Sequence, residues 1–263
     1  DRCEPYNTFG DGDYGSPGSA NDDCPVDLST AVAGDLVIAE VMVNPSMVTY
    51  FRGQWFEVYN NSSTYWNLDG LDVEDAGSDI FTVSGDLYVR PGESVLFAVR
   101  DAAAVNGGMD NVDYRYLISD MILSASDELI LTYGTTTIDE VVWNSTDFPS
   151  NTSGFAMSVD ESYLDASSND DSAGWCEASS TYGDGDYGTP GEVNDFCPFD
   201  LDGDGYTKDV DCDDDDSSIN PGESETCDGT DNNCSGDEND ASDASTWYAD
   251  LDYDFFGDGD SSV

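Results

Sequence analysis

The chain has 263 residues, 58 Asp and Glu against 6 Lys and Arg, no histidine and a formal net charge of −52. So few cations leave no basic surface for a nucleic-acid backbone or an anionic membrane. The missing histidine removes Ser-His-Asp and Cys-His catalysis and most zinc or iron enzymes.

The chain opens Asp1-Arg2-Cys3, and no apolar run approaches the roughly 20 residues that span a bilayer. It therefore reads as a portion of something longer, with no membrane insertion in this segment. Residues 1–28 laid without a gap on 174–201 give 17 identities, including Gly-Asp-Gly-Asp-Tyr-Gly at 10–15 and 183–188. An offset of 173 residues predicts a tandem array, in which 1–28 closes a preceding repeat. Cys3/Cys24 and Cys176/Cys197 recur at the same separation of 21 positions, which favours disulfides Cys3–Cys24 and Cys176–Cys197 and an oxidising compartment. Asp184 and Asp186, like Asp11 and Asp13, fit either a metal site or the cap of a tight Gly-rich turn.

Residues 34–197 hold most of the apolar segments, and these are short and β-rich. Leu36–Val43 is apolar except for Glu40 and stops at Asn44-Pro45. Gln54–Asn60 alternates, with Phe56 and Val58 on one face and Trp55, Glu57 and Tyr59 on the other. Further strands are predicted at Leu68–Val73, Ile80–Val83, Leu87–Val89, Ser94–Val99, Leu129–Tyr133, Ile138–Trp143 and Phe155–Val159. Asp101–Val105 is the one helix-like stretch. Many short strands at this spacing predict an antiparallel β-sandwich.

Ile38-Ala39-Glu40-Val41-Met42-Val43-Asn44-Pro45, Trp55-Phe56-Glu57-Val58-Tyr59-Asn60, Pro91-Gly92-Glu93-Ser94-Val95-Leu96 and the closing Gly188-Thr189-Pro190-Gly191 with Asn194 form an ordered set. Over about residues 34–195 they resemble the lamin-tail domain. That resemblance implies an immunoglobulin-like β-sandwich and a structural or interaction role without a conserved active site.

From Pro198 the composition changes. The last 66 residues hold 22 acids and one base, Lys208, with too few apolar residues for a core. Asp200, Asp202 and Asp204 take positions 1, 3 and 5 of a calcium-loop register, with Gly205 at the turn, the Tyr206 carbonyl at 7 and Asp211 at 12. Calcium gathers six to eight hard oxygens, and alternate positions of a tight loop supply them. Asp209, Asp211, Asp213 and Asp215 continue the spacing in a second register. Asp231 and Asn233 begin a third, and Asp250, Asp252 and Asp254 a fourth. Cys212, Cys227 and Cys234 admit three pairings; Cys227–Cys234 closes the shorter loop, and the remaining cysteine is expected to pair outside this sequence.

Asp200–Asp216, Asn220-Pro221-Gly222, Glu225-Thr226-Cys227-Asp228-Gly229 and Asp231-Asn232-Asn233-Cys234 resemble the metal-binding repeat of microbial surface proteins, which is similar to thrombospondin type 3 calcium repeats. Trp247-Tyr248-Ala249-Asp250 looks like the start of the next copy. Ser235 and Asn239 stand where that pattern usually has acids.

The expected fold class is all-β, an immunoglobulin-like antiparallel β-sandwich followed by a calcium-stabilised, disulfide-pinned segment with little regular structure. The expected parts are 1–33, closing a preceding repeat; 34–197, the sandwich; 198–245, a calcium-binding acidic repeat; and 246–263, the start of a second. The expected function is a non-enzymatic structural module of an extracellular or cell-surface protein, its partners being Ca2+ and neighbouring copies or repeats, as in a fibre or sheath. The alternatives are an adhesion module for glycans or proteins, or an accessory region of a secreted hydrolase. Salt adaptation would explain the acids of 34–197 but not the register after 199.

Overall fold

Leu36–Met42 (β4) is buried along all seven residues, as a strand must be when its sheet is covered on both faces. It is paired antiparallel on either side in a six-stranded sheet. The other members are β5 (Trp55–Asn60), β10 (Ser94–Ala98), β11 (Tyr114–Arg115), β14 (Met157–Val159) and β15 (Trp175–Glu177). Their order across the sheet is β11-β10-β5-β4-β14-β15. A four-stranded antiparallel sheet, in the order β13-β12-β7-β8, supplies the opposing layer. It is built from β7 (Asp72–Glu74), β8 (Ile80–Thr82), β12 (Asp127–Tyr133) and β13 (Thr136–Trp143). A short third sheet joins β3 (Val26–Asp27), β6 (Trp66–Asn67) and β9 (Tyr88–Val89). Two small hairpins pair β1 (Thr8–Phe9) with β2 (Asp13–Tyr14), and β16 (Thr181–Tyr182) with β17 (Asp186–Tyr187). The architecture is a β-sandwich, as the strand pattern predicts, and an immunoglobulin-like one, as the family resemblance implies. This computed structural model describes residues 8–9, 13–14, 24–144, 152–208, 210–236 and 241. The chain divides into two compact units, Asp1–Cys197 and Pro198–Val263.

The core lies between the sheets. Leu36, Ile38, Val41, Phe56, Val58, Phe97, Leu129, Leu131, Ile138 and Val141 belong to one buried cluster, in which Phe56 stacks on Phe97 at 4.9 Å between centroids. The predicted alternation of β5 holds for Phe56 and Val58 inward and Trp55 outward. In β4 the parity changes, because the register shifts between Ile38 and Glu40. Ala39 is the extra residue of a bulge, so Leu36, Ile38, Val41 and Val43 all reach the core. The Ile38 N–H donates to the buried Asp139 carboxylate at 2.7 Å, which ties β4 to β13.

The bulge turns Glu40 to the outer face directly opposite Glu57, and both are fully buried. The closing segment covers them. Glu40 accepts from the Thr189 N–H at 3.1 Å and the Thr189 hydroxyl at 2.9 Å, and Glu57 accepts from the Gly191 N–H. Asn194 donates to the carbonyls of Ala39 and Val159 at 2.8 and 2.9 Å. The motifs that carry the family resemblance thus meet in space. Disulfide Cys176–Cys197, with a Cα–Cα distance of 5.6 Å, fastens the segment's end to β15. Cys24 is disulfide-bonded, while Cys3 lies outside the described residues.

Three sequence expectations are adjusted. The predicted strand Leu68–Val73 is displaced to Asp72–Glu74, because Gly70 (φ +88°) turns the chain and Leu68 and Leu71 enter the core from a loop. The helical stretch is Ala103–Asn106, ended by Gly107 in the left-handed region. The Gly-rich hairpin at 183–188 caps a turn: the buried Asp186 carboxylate accepts from the Ser46 N–H at 3.0 Å, the Ser46 hydroxyl at 2.5 Å and the Met47 N–H at 3.2 Å. Among the described residues no helix is long and apolar enough to cross a membrane.

Candidate metal centre

In the second unit the described residues form turns and bends without helix or strand. Backbone hydrogen bonds such as Lys208 N–H to the Phe199 carbonyl (2.8 Å) and Asn220 N–H to the Asn232 carbonyl (3.0 Å) fold it back on itself. Carboxylates take the place of a hydrophobic core. Asp200 curls its loop inward by accepting from the Gly203 N–H at 2.7 Å and the Gly205 N–H at 3.0 Å. Gly203 (φ +78°) and Gly205 (φ +98°) hold left-handed conformations that a side chain would strain. Asp202 and Asp204 accept from the N–H two residues ahead, at 3.1 and 2.8 Å. One carboxylate oxygen from each of Asp200, Asp202 and Asp204 lies within 4.8 Å of the others.

Around this trio stand oxygens with nothing to bind. Asp211 is 8% exposed; its Oδ1 accepts from the Asp213 N–H at 3.0 Å, and its Oδ2 is buried without a hydrogen-bond partner. Asp202 Oδ2 and Asp214 Oδ2 are in the same condition. The Asp202 carboxyl is raised above its ordinary range, by burial and then by the charges of Asp204, Asp211 and Asp200. Converging, desolvated carboxylates without a counter-ion are unfavourable and fit a bound cation. The donors are hard oxygens, and the nearby Cys212 and Cys234 sulfurs are joined in a disulfide, so neither is a thiolate ligand. Such a set suits calcium or magnesium better than a soft metal.

The structure gathers the carboxylates of Asp200, Asp202 and Asp204 and buries Asp211. The Tyr206 ring packs against Gly222. Asp213 and Asp215 are exposed, while Asp231 and Asn233 lie on a half-buried turn. Asp209, Asp250, Asp252 and Asp254 lie outside the described residues. Two residues outside the register join in. Asp214 accepts from the Leu201 N–H at 3.1 Å, and Asn220, 4% exposed, donates to Asp204 Oδ2 at 2.5 Å. Both reach the loop because the chain folds back, which no local spacing announces.

The expected Cys227–Cys234 bridge is corrected: Cys212 pairs with Cys234, at a Cα–Cα distance of 5.5 Å, and Cys227 is exposed. A shorter loop is favoured by closure entropy by only about 1 kcal/mol. The fold-back that brings Asn232 to Asn220 and Asn233 to Glu225 outweighs it.

Residues 29–145 match the model of the Lamin Tail Domain, and residues 211–240 match a metal-binding motif whose family is named for copper binding in MopE. No curated protein matches, and no solved structure does. Both matched domains are of non-catalytic kinds. The chain carries a lamin tail domain followed by a MopE-type metal-binding motif.

Proposed function

We propose that this chain is a non-enzymatic structural module of a repetitive extracellular or cell-surface protein, in which calcium rigidifies the acidic segment that follows the sandwich. The observation that carries the reading is the set of buried oxygens without partners on Asp202, Asp211 and Asp214 around the Asp200–Asp204 loop. Calcium takes the carboxylates of Asp200, Asp202, Asp204 and Asp211 with the Tyr206 carbonyl. The ion offsets their mutual repulsion and fixes turns that have no apolar core beneath them. An acidic linker then becomes a stiff spacer. Disulfides Cys176–Cys197 and Cys212–Cys234 support an oxidising, extracellular setting. The repeat of 1–28 at 174–201 supports neighbouring copies as partners, in a fibre or sheath.

Calorimetric titration of the full chain with calcium, followed by circular dichroism, tests the metal. Saturable binding with ordering that a chelator reverses is expected, with magnesium weaker. Copper bound more tightly than calcium, or no binding at millimolar calcium, refutes the assignment.

A further inference from the structure

Bases are scarce in this chain, yet Arg52 and Arg100 line one shallow concavity of the sandwich unit, of about 740 Å³, with Met47, Val48 and Phe51. Arg52 is exposed and Arg100 half-buried, and neither forms an ion pair among the described residues. Asp101, next in sequence to Arg100, leaves it unpaired. The Asp186 carboxylate is committed to the N–H groups of Ser46 and Met47. Where acids number 58 and bases 6, two unpaired arginines on one surface call for a partner.

Apolar groups complete the surface. Met47 is 50% exposed and Phe51 47%, and the Tyr50 ring meets the Phe51 ring at 3.9 Å between centroids. The backbone beneath is fixed. Asp186 pins Ser46 and Met47, Gly53 packs so closely on Val48 and Pro45 that a side chain there would collide, and helix Tyr50–Gly53 packs against helix Ala103–Asn106. A surface already held in shape loses little freedom when it binds. Arginine, methionine and aromatic side chains are also the groups enriched at protein–protein contacts.

The partner has to bring carboxylates to the arginines and apolar surface to Met47 and Phe51. Two cations are too few for a nucleic-acid backbone or an anionic membrane. The acidic segment offers both features. Asp213, Asp215 and Asp216 are exposed and lie outside the Asp200–Asp211 loop, and Leu201 and Val210 are each 52% exposed. We propose that the surface formed by Met47, Phe51, Arg52 and Arg100 docks the acidic segment of a second copy of this chain. The proposal rests on the reading of the chain as a repetitive module with neighbouring copies, and gives that contact a place. Two chains of net charge −52 repel at long range, so the contact works at short range, through arginine–carboxylate pairs beside aromatic groups that exclude water.

Sedimentation equilibrium of the full chain tests it, in millimolar calcium and about 0.15 M salt, where charges more than about 8 Å apart are largely screened. The parent is expected to self-associate. Arg52→Glu and Phe51→Ser should each weaken association about tenfold or more, while melting at the parent's temperature. Hydrogen exchange of the parent at low and high protein concentration, in the same calcium, locates the contact. Protection that grows with concentration is expected in both residues 46–53 and residues 198–236. Association of parental strength in both variants, or protection that leaves out either segment, overturns this surface while keeping neighbouring copies as partners. A parent that stays monomeric overturns both. Calcium binding, titrated separately, tells either failure from failure of the metal assignment.

Discussion

Glu40 and Glu57 show how one pair of residues sets the condition under which the sandwich is stable. They face each other on adjacent strands, and burial pushes both carboxyls up, Glu57 to about 8 and Glu40 well above its usual range, where the charge of Glu57 adds to the effect. The N–H groups of Thr189 and Gly191 pull the other way, but desolvation dominates. A carboxyl raised in the folded state holds its proton more tightly there than in the unfolded chain. The resulting stabilisation is complete below the ordinary carboxyl range and is lost as pH rises toward and through 8. Thermal unfolding followed from pH 5 to pH 9 should therefore show a declining melting temperature, with each pH unit costing up to about 1.4 kcal/mol per proton released. Glu57→Gln, which stays neutral and keeps an oxygen for the Gly191 N–H, should flatten that decline. An equal slope in the variant would show that other groups carry the pH dependence. Asp186 makes a second prediction at this scale. Replacing it by Ala strips the acceptor from Ser46 and Met47, and should cost about 1–3 kcal/mol in denaturant unfolding.

The elements were legible in the sequence to different degrees, for reasons that differ. Strands β4, β5, β10, β12 and β13 are long enough for apolar residues to mark their faces; the first four lie inside the two sheets and β13 forms an edge. Strands β3, β6, β11, β16 and β17 have two residues each, and no periodicity marks a strand so short. The Asp200–Asp204 loop was legible because its carboxylate spacing is local. The reach of Asp214 and Asn220 to that loop was not, since each arrives through the fold-back, and the same cause hid Cys212–Cys234. The Cys176–Cys197 bridge was legible only because the Cys3/Cys24 spacing repeats it. It ties the closing segment, with Thr189, Gly191 and Asn194, over Glu40 and Glu57. Substituting both cysteines by Ser should lower unfolding stability by about 3 kcal/mol, from the loop length alone. Urea midpoints of the parent and the double variant measure it.

Across the whole molecule, two units solve the problem of 58 acids in different ways. The sandwich puts most of its carboxylates outside and pairs the few buried ones with N–H groups over a large apolar core. The acidic segment has few apolar residues to bury and holds its turns through carboxylates, backbone hydrogen bonds and one disulfide, so its order depends in large part on what balances the carboxylate charge. Bulk salt and a coordinated ion both offset repulsion, but they do so with different dependences. Screening acts through ionic strength and does not distinguish one cation from another at equal strength. Coordination saturates at stoichiometric ion and discriminates by size and geometry. Limited proteolysis separates the two. In chelator, cleavage should fall first after residue 197 while residues 24–144 persist, and sub-millimolar calcium should protect the acidic segment. Sodium chloride matched to the same ionic strength should leave it exposed. Equal protection by the two salts would make the segment a screened polyanion and remove the basis for a calcium-stiffened spacer. Protection by calcium alone would locate the ion-dependent order in residues 200–236, because coordination and not screening would then be what holds these turns.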